Sequence, residues 1–152
     1  NMKTYYWSRT RKLDIENEIG INWIDNINDL VSNCAYISIH CASTPETHHI
    51  IGKEQFALME NVKLINTSRG PTLDQDSLID AIDSGNIYAA ALDVTDPEPP
   101  DYKSEIIHHP KILITPHLGS GSSETFKKMA MMAAENIANA LEGKKMVSQV
   151  KL

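Results

Sequence analysis

The chain has no Gly-x-Gly-x-x-Gly turn of the kind that follows a strand and cradles the pyrophosphate of a dinucleotide. Its nearest approach is Gly119-Ser-Gly-Ser-Ser-Glu124, where a glutamate stands in place of the third glycine, so these residues read as a turn that opens a helix. Cysteine is scarce as well. Cys34 and Cys41 are the only two, too few for a disulfide framework, and reduced thiols in a cytoplasmic setting are the expectation. No Cys/His spacing matches a zinc site, and no metal is expected. Long apolar runs are missing, so no membrane is expected as a partner, and the opening Asn1-Met2-Lys3 lacks the apolar core of a secretory signal. An excess of positive charge is missing too. The formal net charge is −6, which argues against nucleic acid or an anionic membrane as the main partner.

What remains is an ordinary globular composition, 41% hydrophobic and 22% charged, at a length of 152 residues that suits one domain. Strand-like runs fall at residues 3–7, 21–24, 35–40, 62–66, 87–94 and 111–115. Helical patterns fall between them, at 14–18, from an Asp25 cap to Asn33, at 53–60 and at 74–84. A long helix over 122–142 follows, capped by Ser122 and stopped by Gly143, with a tail over 144–152. This alternation predicts an α/β fold, a Rossmann-like doubly wound parallel sheet with right-handed crossovers and helices on both faces.

Three segments at strand ends carry chemistry, because ligands of open parallel sheets bind beyond the carboxyl ends of the strands. Ile65-Asn-Thr-Ser-Arg-Gly-Pro71 offers Arg69, whose planar fork of donors matches a carboxylate; the same position also suits a surface arginine closing a loop. Ile114-Thr-Pro-His-Leu-Gly-Ser120 offers His117. An imidazole has an ordinary pKa of about 6.5 and can deliver a proton near neutral pH, although a lone histidine in such a turn is more often a plain loop residue. Ala91-Leu-Asp-Val-Thr-Asp-Pro-Glu-Pro99 offers Glu98. A carboxylate on the far ring nitrogen of a histidine orients the ring and favours its charged form, while a solvated acid in a proline loop is the simpler reading of Glu98 alone. The three together favour function.

These segments, with Ser43-Thr-Pro-Glu-Thr47, are where the chain resembles a known family. From about residue 35 onward it resembles the NAD(P)-binding domain of the D-isomer-specific 2-hydroxyacid dehydrogenases. Within that family the Thr-Asp-Pro-Glu-Pro wording and the ending from Glu142 to Leu152 are most similar to the glyoxylate/hydroxypyruvate reductases. The resemblance implies reduction of a small 2-keto acid, glyoxylate or hydroxypyruvate, to the D-2-hydroxy acid. Arg69 would bind the carboxylate and keto oxygen, His117 would act as general acid, and Glu98 would keep His117 charged. It places Ala42, Thr47, Thr67, Asp93 and Gly119 along the cofactor, Ala42 being a departure in residue type. After the first strand the chain carries Ser8, Arg9, Thr10 and Arg11 rather than an acid for the ribose hydroxyl, which favours NADP over NAD. A basic loop without a ligand is the other reading of that segment.

The resemblance also exposes a gap. Family members carry a glycine-rich turn with its strand and helix just before residues 3–7, and a substrate domain ahead of those. Residues 1–152 are therefore expected to be an N-terminally shortened, partial dinucleotide domain, and the absent strand would sit at the centre of the sheet. A slot should separate residues 3–7 from 35–40, about twice the usual 4.8 Å strand spacing, unless the sides close or another chain fills it. Without the pyrophosphate cradle the isolated chain is expected to bind dinucleotide poorly and to turn over slowly or not at all. The apolar face of the last helix (Ala130, Ala134, Ile137, Leu141) points to a homo-oligomer, a dimer. A non-catalytic dinucleotide-domain protein, a pseudoenzyme or a co-repressor-like interaction module, stays open as the second class.

Overall fold

Six short strands form where β-branched and aromatic residues cluster, and every strand pair among the described residues is parallel. In the computed structural model, which describes residues 2–150, β1 (Tyr5–Tyr6) is followed by α1 (Leu13–Ile19), β2 (Asn22–Trp23) and α2 (Ile27–Asn33). Then come β3 (Tyr36–Ile39), α3 (Lys53–Ala57), β4 (Val62–Asn66) and α4 (Gln75–Asp83). The chain continues through β5 (Ile87–Leu92), α5 (Glu105–His108), β6 (Ile112–Ile114) and α6 (Ser123–Leu141). The part of the tail at residues 151–152 lies outside the described residues.

Caps set the helix starts. Asp74 accepts from the Ser77 N–H at 3.1 Å and opens α4, and Ser122 accepts from the Thr125 N–H at 3.1 Å and opens α6. The α2 cap is Asn26, which accepts from the Asn28 N–H at 2.8 Å, one residue beyond the expected Asp25. Asp25 is drawn the other way, its carbonyl accepting the Trp7 indole N–H at 3.2 Å. Gly143 ends α6 at φ 67°, a left-handed position that favours glycine.

The strands do not make one sheet. β3-β4-β5-β6 form a four-stranded sheet, and β1-β2 pair separately. The side chains of the larger sheet alternate. Ile37, Ile39, Leu64, Ala90 and Leu92 point into the core with Phe56, Leu78 and Ile82 from the helices; burying each large aliphatic contributes about 1.5–3 kcal/mol. The opposite side is more open. There Tyr36, Tyr88 and Leu113 are 56%, 54% and 64% exposed, and the Lys63 ammonium sits 5.5 and 4.9 Å from the two tyrosine rings. Tyrosine and lysine present an apolar body and a polar tip, which lets that face stand in water.

The chain divides into two compact units, one running through Pro116 and the other starting at His117. All six strands belong to the first. The second carries α6, which has no buried residue along its length.

Candidate functional site

β4 delivers its last residue, Asn66, into the core, where it is fully buried. A buried amide must be satisfied, and Asn66 is satisfied by the loop that follows it. Its Nδ2 donates to the Arg69 carbonyl at 3.1 Å and to Thr72 Oγ1 at 3.3 Å, while its Oδ1 accepts from the Ser68 N–H at 3.0 Å and the Ser68 hydroxyl at 2.9 Å. The Thr72 hydroxyl donates to the same Arg69 carbonyl at 2.6 Å. The backbone of Arg69 is thereby clamped from two sides. Its exposed side chain donates from Nη1 to the Ser68 carbonyl at 2.6 Å and lines a crevice of about 550 Å³ with Ala42, Ser43, Thr67 and Pro71.

Gly70 ties that loop to the next. A Cβ on Gly70 would lie 2.0 Å from the Thr95 carbonyl oxygen, so only glycine lets the two backbones meet. The neighbouring loop, which carries exposed Glu98, is further held by Gln75 Nε2 donating to the Asp96 carbonyl at 2.6 Å. At the same ends of the strands the Asp93 N–H donates to the Asn66 carbonyl at 2.9 Å, and Asp93 Oδ1 accepts from the Thr115 hydroxyl at 2.5 Å. Arg69, Glu98 and Asp93 thus stand on loops braced against one another. Asn66, Ser68 and Thr72 were not among the sequence candidates, because their roles are set by bonds across the loop. Their signal was a run of small polar residues directly after an apolar strand.

The first basic loop sits at the carboxyl end of β1. Ser8 and Arg9 border a second cavity, of about 600 Å³, with β1 on one side and residues 36–42 on the other. Arg9 projects its charge toward that side. Burial pushes the Cys41 thiol up while Arg9 draws it down, and Glu46 is held below the usual carboxylate range, chiefly by the Thr44 side chain with a smaller contribution from Arg9. Arg11 is turned elsewhere: its fork donates to Glu16 at 2.9 and 2.8 Å and lies 5.2 Å from the Trp23 ring centroid. The exposed Thr10 accepts the Ser8 hydroxyl on its carbonyl at 2.7 Å. Thr47 is buried, and its hydroxyl donates to the Ala42 carbonyl at 2.6 Å and accepts from the Thr44 N–H at 2.8 Å. It shapes the loop that carries Ala42.

His117 and Gly119 open the second unit, and both are exposed. His117 has φ 52°, a left-handed conformation that is uncommon outside glycine and that clusters at functional positions.

Residues 1–119 match the model of a family described as the D-isomer specific 2-hydroxyacid dehydrogenase NAD binding domain. A glyoxylate reductase of Thermococcus litoralis is 40% identical over 143 residues, 93% of this chain and 43% of that protein. A glyoxylate/hydroxypyruvate reductase B of Cronobacter sakazakii is 36% identical over 144 residues, 94% of this chain and 44% of that protein. The holo structure of D-mandelate dehydrogenase from Rhodotorula graminis superposes with a TM-score of 0.90 at 30% identity, over 99% of this chain and 44% of that one. The chain spans less than half the length of these relatives.

Proposed function

The chain belongs to the D-isomer specific 2-hydroxyacid dehydrogenases, through their NAD-binding domain, and we propose that it serves as the dinucleotide-binding and acid-bearing part of a 2-keto acid reductase. The substrate class is glyoxylate or hydroxypyruvate, supported by the reductases of those names among its relatives. The observation that carries the reading is Arg69: an exposed guanidinium beside a crevice, on a backbone clamped by buried Asn66. Positioning of this kind is what a bidentate carboxylate clamp requires.

When bound, the nicotinamide cofactor supplies a hydride to the keto carbon. Arg69 holds the substrate carboxylate and draws electron density onto the keto oxygen. His117 gives a proton to that oxygen as it becomes an alkoxide, and Glu98 keeps the supporting-carboxylate role that the family resemblance assigns it. The residues present suit a dinucleotide at its two ends. Ser8 and Arg9 offer a hydroxyl and a cation at the edge of the larger cavity, and Ala42, Thr67 and Asp93 stand at strand ends near Arg69, with Thr47 shaping their loop and Gly119 matched by motif. Arg9 favours a 2′-phosphate and so NADP, with NAD second; Arg11 would join it only by leaving Glu16. A glycine-rich clasp for the pyrophosphate is not among residues 1–152. That favours weak or no turnover by this chain alone, and a cytoplasmic homodimer completes the proposal, supported by the exposed apolar residues Phe126, Met129, Ile137 and Leu141 of α6.

The test is oxidation of NADPH and NADH with glyoxylate and with hydroxypyruvate, on the longest translated product that contains residues 1–152. Arg69→Lys should raise KM about 10- to 100-fold through loss of the bidentate bond. His117→Gln should lower kcat by about 10²–10⁴. Unchanged turnover in both variants sinks the reading. The second reading, a non-catalytic module, is favoured by the divided sheet and would show as a product that binds cofactor without consuming it.

A further inference from the structure

Two arginines follow β1 with one residue between them, and the fold uses them differently. Ser8 and Arg9 border the larger cavity, whereas Thr10 and Arg11 do not. Arg11 is spent on a carboxylate. Its Nε donates to Glu16 Oε1 at 2.9 Å and its Nη2 to Glu16 Oε2 at 2.8 Å, so both oxygens of Glu16 are taken by one guanidinium. The same guanidinium lies 5.2 Å from the Trp23 ring centroid, a second hold on it.

Glu16 is itself fixed in place. The Tyr6 hydroxyl donates to Glu16 Oε1 at 2.8 Å and accepts the Lys12 N–H at 2.7 Å, and the Glu16 N–H donates to the Lys12 carbonyl at 3.0 Å. The Glu16 side chain is largely covered, while that of Arg11 is half exposed. Tyr6 also borders the larger cavity, so the network stands at its rim. Arg9 and Arg11 are two residues apart, which puts their Cα atoms within about 7 Å of each other. An Arg11 released from Glu16 can therefore sweep to the rim that Arg9 occupies.

We propose that Glu16 is a positioning residue that sets cofactor preference by withholding Arg11 from the adenosine end of the dinucleotide. With Glu16 in place the cavity offers one cation, Arg9, to a ribose 2′-phosphate. Without it the cavity offers two. A second fork of donors adds charge-assisted bonds that only a phosphorylated ribose can accept, so loss of Glu16 sharpens discrimination between the two nucleotide types. The inference rests on the reading that this cavity takes the adenosine end of a dinucleotide, and it adds to that reading the residue that limits the choice.

The test titrates nitrogen-labelled residues 1–152 with adenosine 2′,5′-bisphosphate and with adenosine 5′-monophosphate, into the millimolar range, and follows the arginine Nε–H resonances. In the parent the bisphosphate should shift the Arg9 resonance and leave that of Arg11 unmoved. Glu16→Gln should tighten the bisphosphate about 5- to 20-fold, leave the monophosphate within about twofold, and bring the Arg11 resonance into the response. The double variant Arg11→Met/Glu16→Gln should return the bisphosphate to within about twofold of the parent, since the gain belongs to Arg11. An Arg11 shift in the parent overturns the proposal and needs no variant to fold. Equal tightening of both nucleotides by Glu16→Gln, no tightening, or a gain that survives the double variant overturns it as well. A parent that binds neither nucleotide overturns both this proposal and the cavity reading beneath it, whereas the other outcomes sink the proposal and leave that reading standing.

Discussion

Arg69 depends on neighbours that carry no charge. Asn66 gives two hydrogen bonds to the Arg69 turn and accepts two from Ser68, and truncating it leaves buried partners without water. Asn66→Ala should destabilise the first unit by about 2–3 kcal/mol, read by urea unfolding, and in an active product should raise KM for the keto acid more than it lowers kcat. An unchanged KM would mean that the clamp is purely structural. Gly70 is stricter. A methyl 2.0 Å from the Thr95 carbonyl oxygen cannot be absorbed by a side-chain rotation, because the obstacle is backbone. Gly70→Ala should cost about 3–5 kcal/mol, in the tail of single substitutions. A melting temperature within a degree or two of the parent would show that the loops separate readily.

Among the elements, α4 rests on its cap. Asp74 accepts from both the N–H and the hydroxyl of Ser77, at 3.1 and 2.6 Å. Burial pushes its carboxyl up, but the Ser77 bonds, with help from the nearby His49, outweigh burial and hold it below the ordinary aspartate value. Asp74→Ala should therefore cost about 1 kcal/mol at neutral pH. The sign of the pH dependence follows from the lowered pKa. The charge-linked stabilisation is complete above the unfolded value of about 3.9 and is lost as pH falls through the lower folded value. The gap between parent and variant in thermal unfolding should narrow in that acid range and stay constant from pH 5 to 8. A gap that widened in acid would contradict the direction. α6 poses a different question, since Phe126, Met129, Ile137 and Leu141 are 60%, 52%, 63% and 83% exposed along one helix. If the dimer proposal holds, light scattering should show mass rising with concentration, and Ile137→Glu should abolish the rise. A monomer at all concentrations would remove that proposal.

For the whole molecule, the divided sheet and the missing pyrophosphate clasp act together. Helix N-terminal amides at a glycine-rich turn are the main anion-binding device of a dinucleotide domain, and residues 1–152 lack that turn. Isothermal titration of this chain with NADPH should show no tight, micromolar binding, and such binding would reverse the argument. β1 and β2, of two residues each and without a third strand, have few hydrogen bonds to hold them. Their amides should exchange faster than those of β4, the strand flanked on both sides.

The sequence by itself determined the alternation of strands and helices, the caps at Asp74 and Ser122, and the three strand-end loops. These follow from local rules, a two-residue or 3.6-residue rhythm and the chemistry of single side chains. The slot beside residues 35–40 was expected from the family resemblance, and β1 and β2 do pair apart from the larger sheet. Only the tertiary structure decided that Tyr36, Tyr88 and Leu113 stay exposed on one sheet face and that Arg11 turns to Glu16. It alone revealed buried Asn66 holding Arg69 in place and Gly70 joining two loops. Each of these depends on residues brought together across the fold, and no local rhythm encodes which distant partner a side chain will meet.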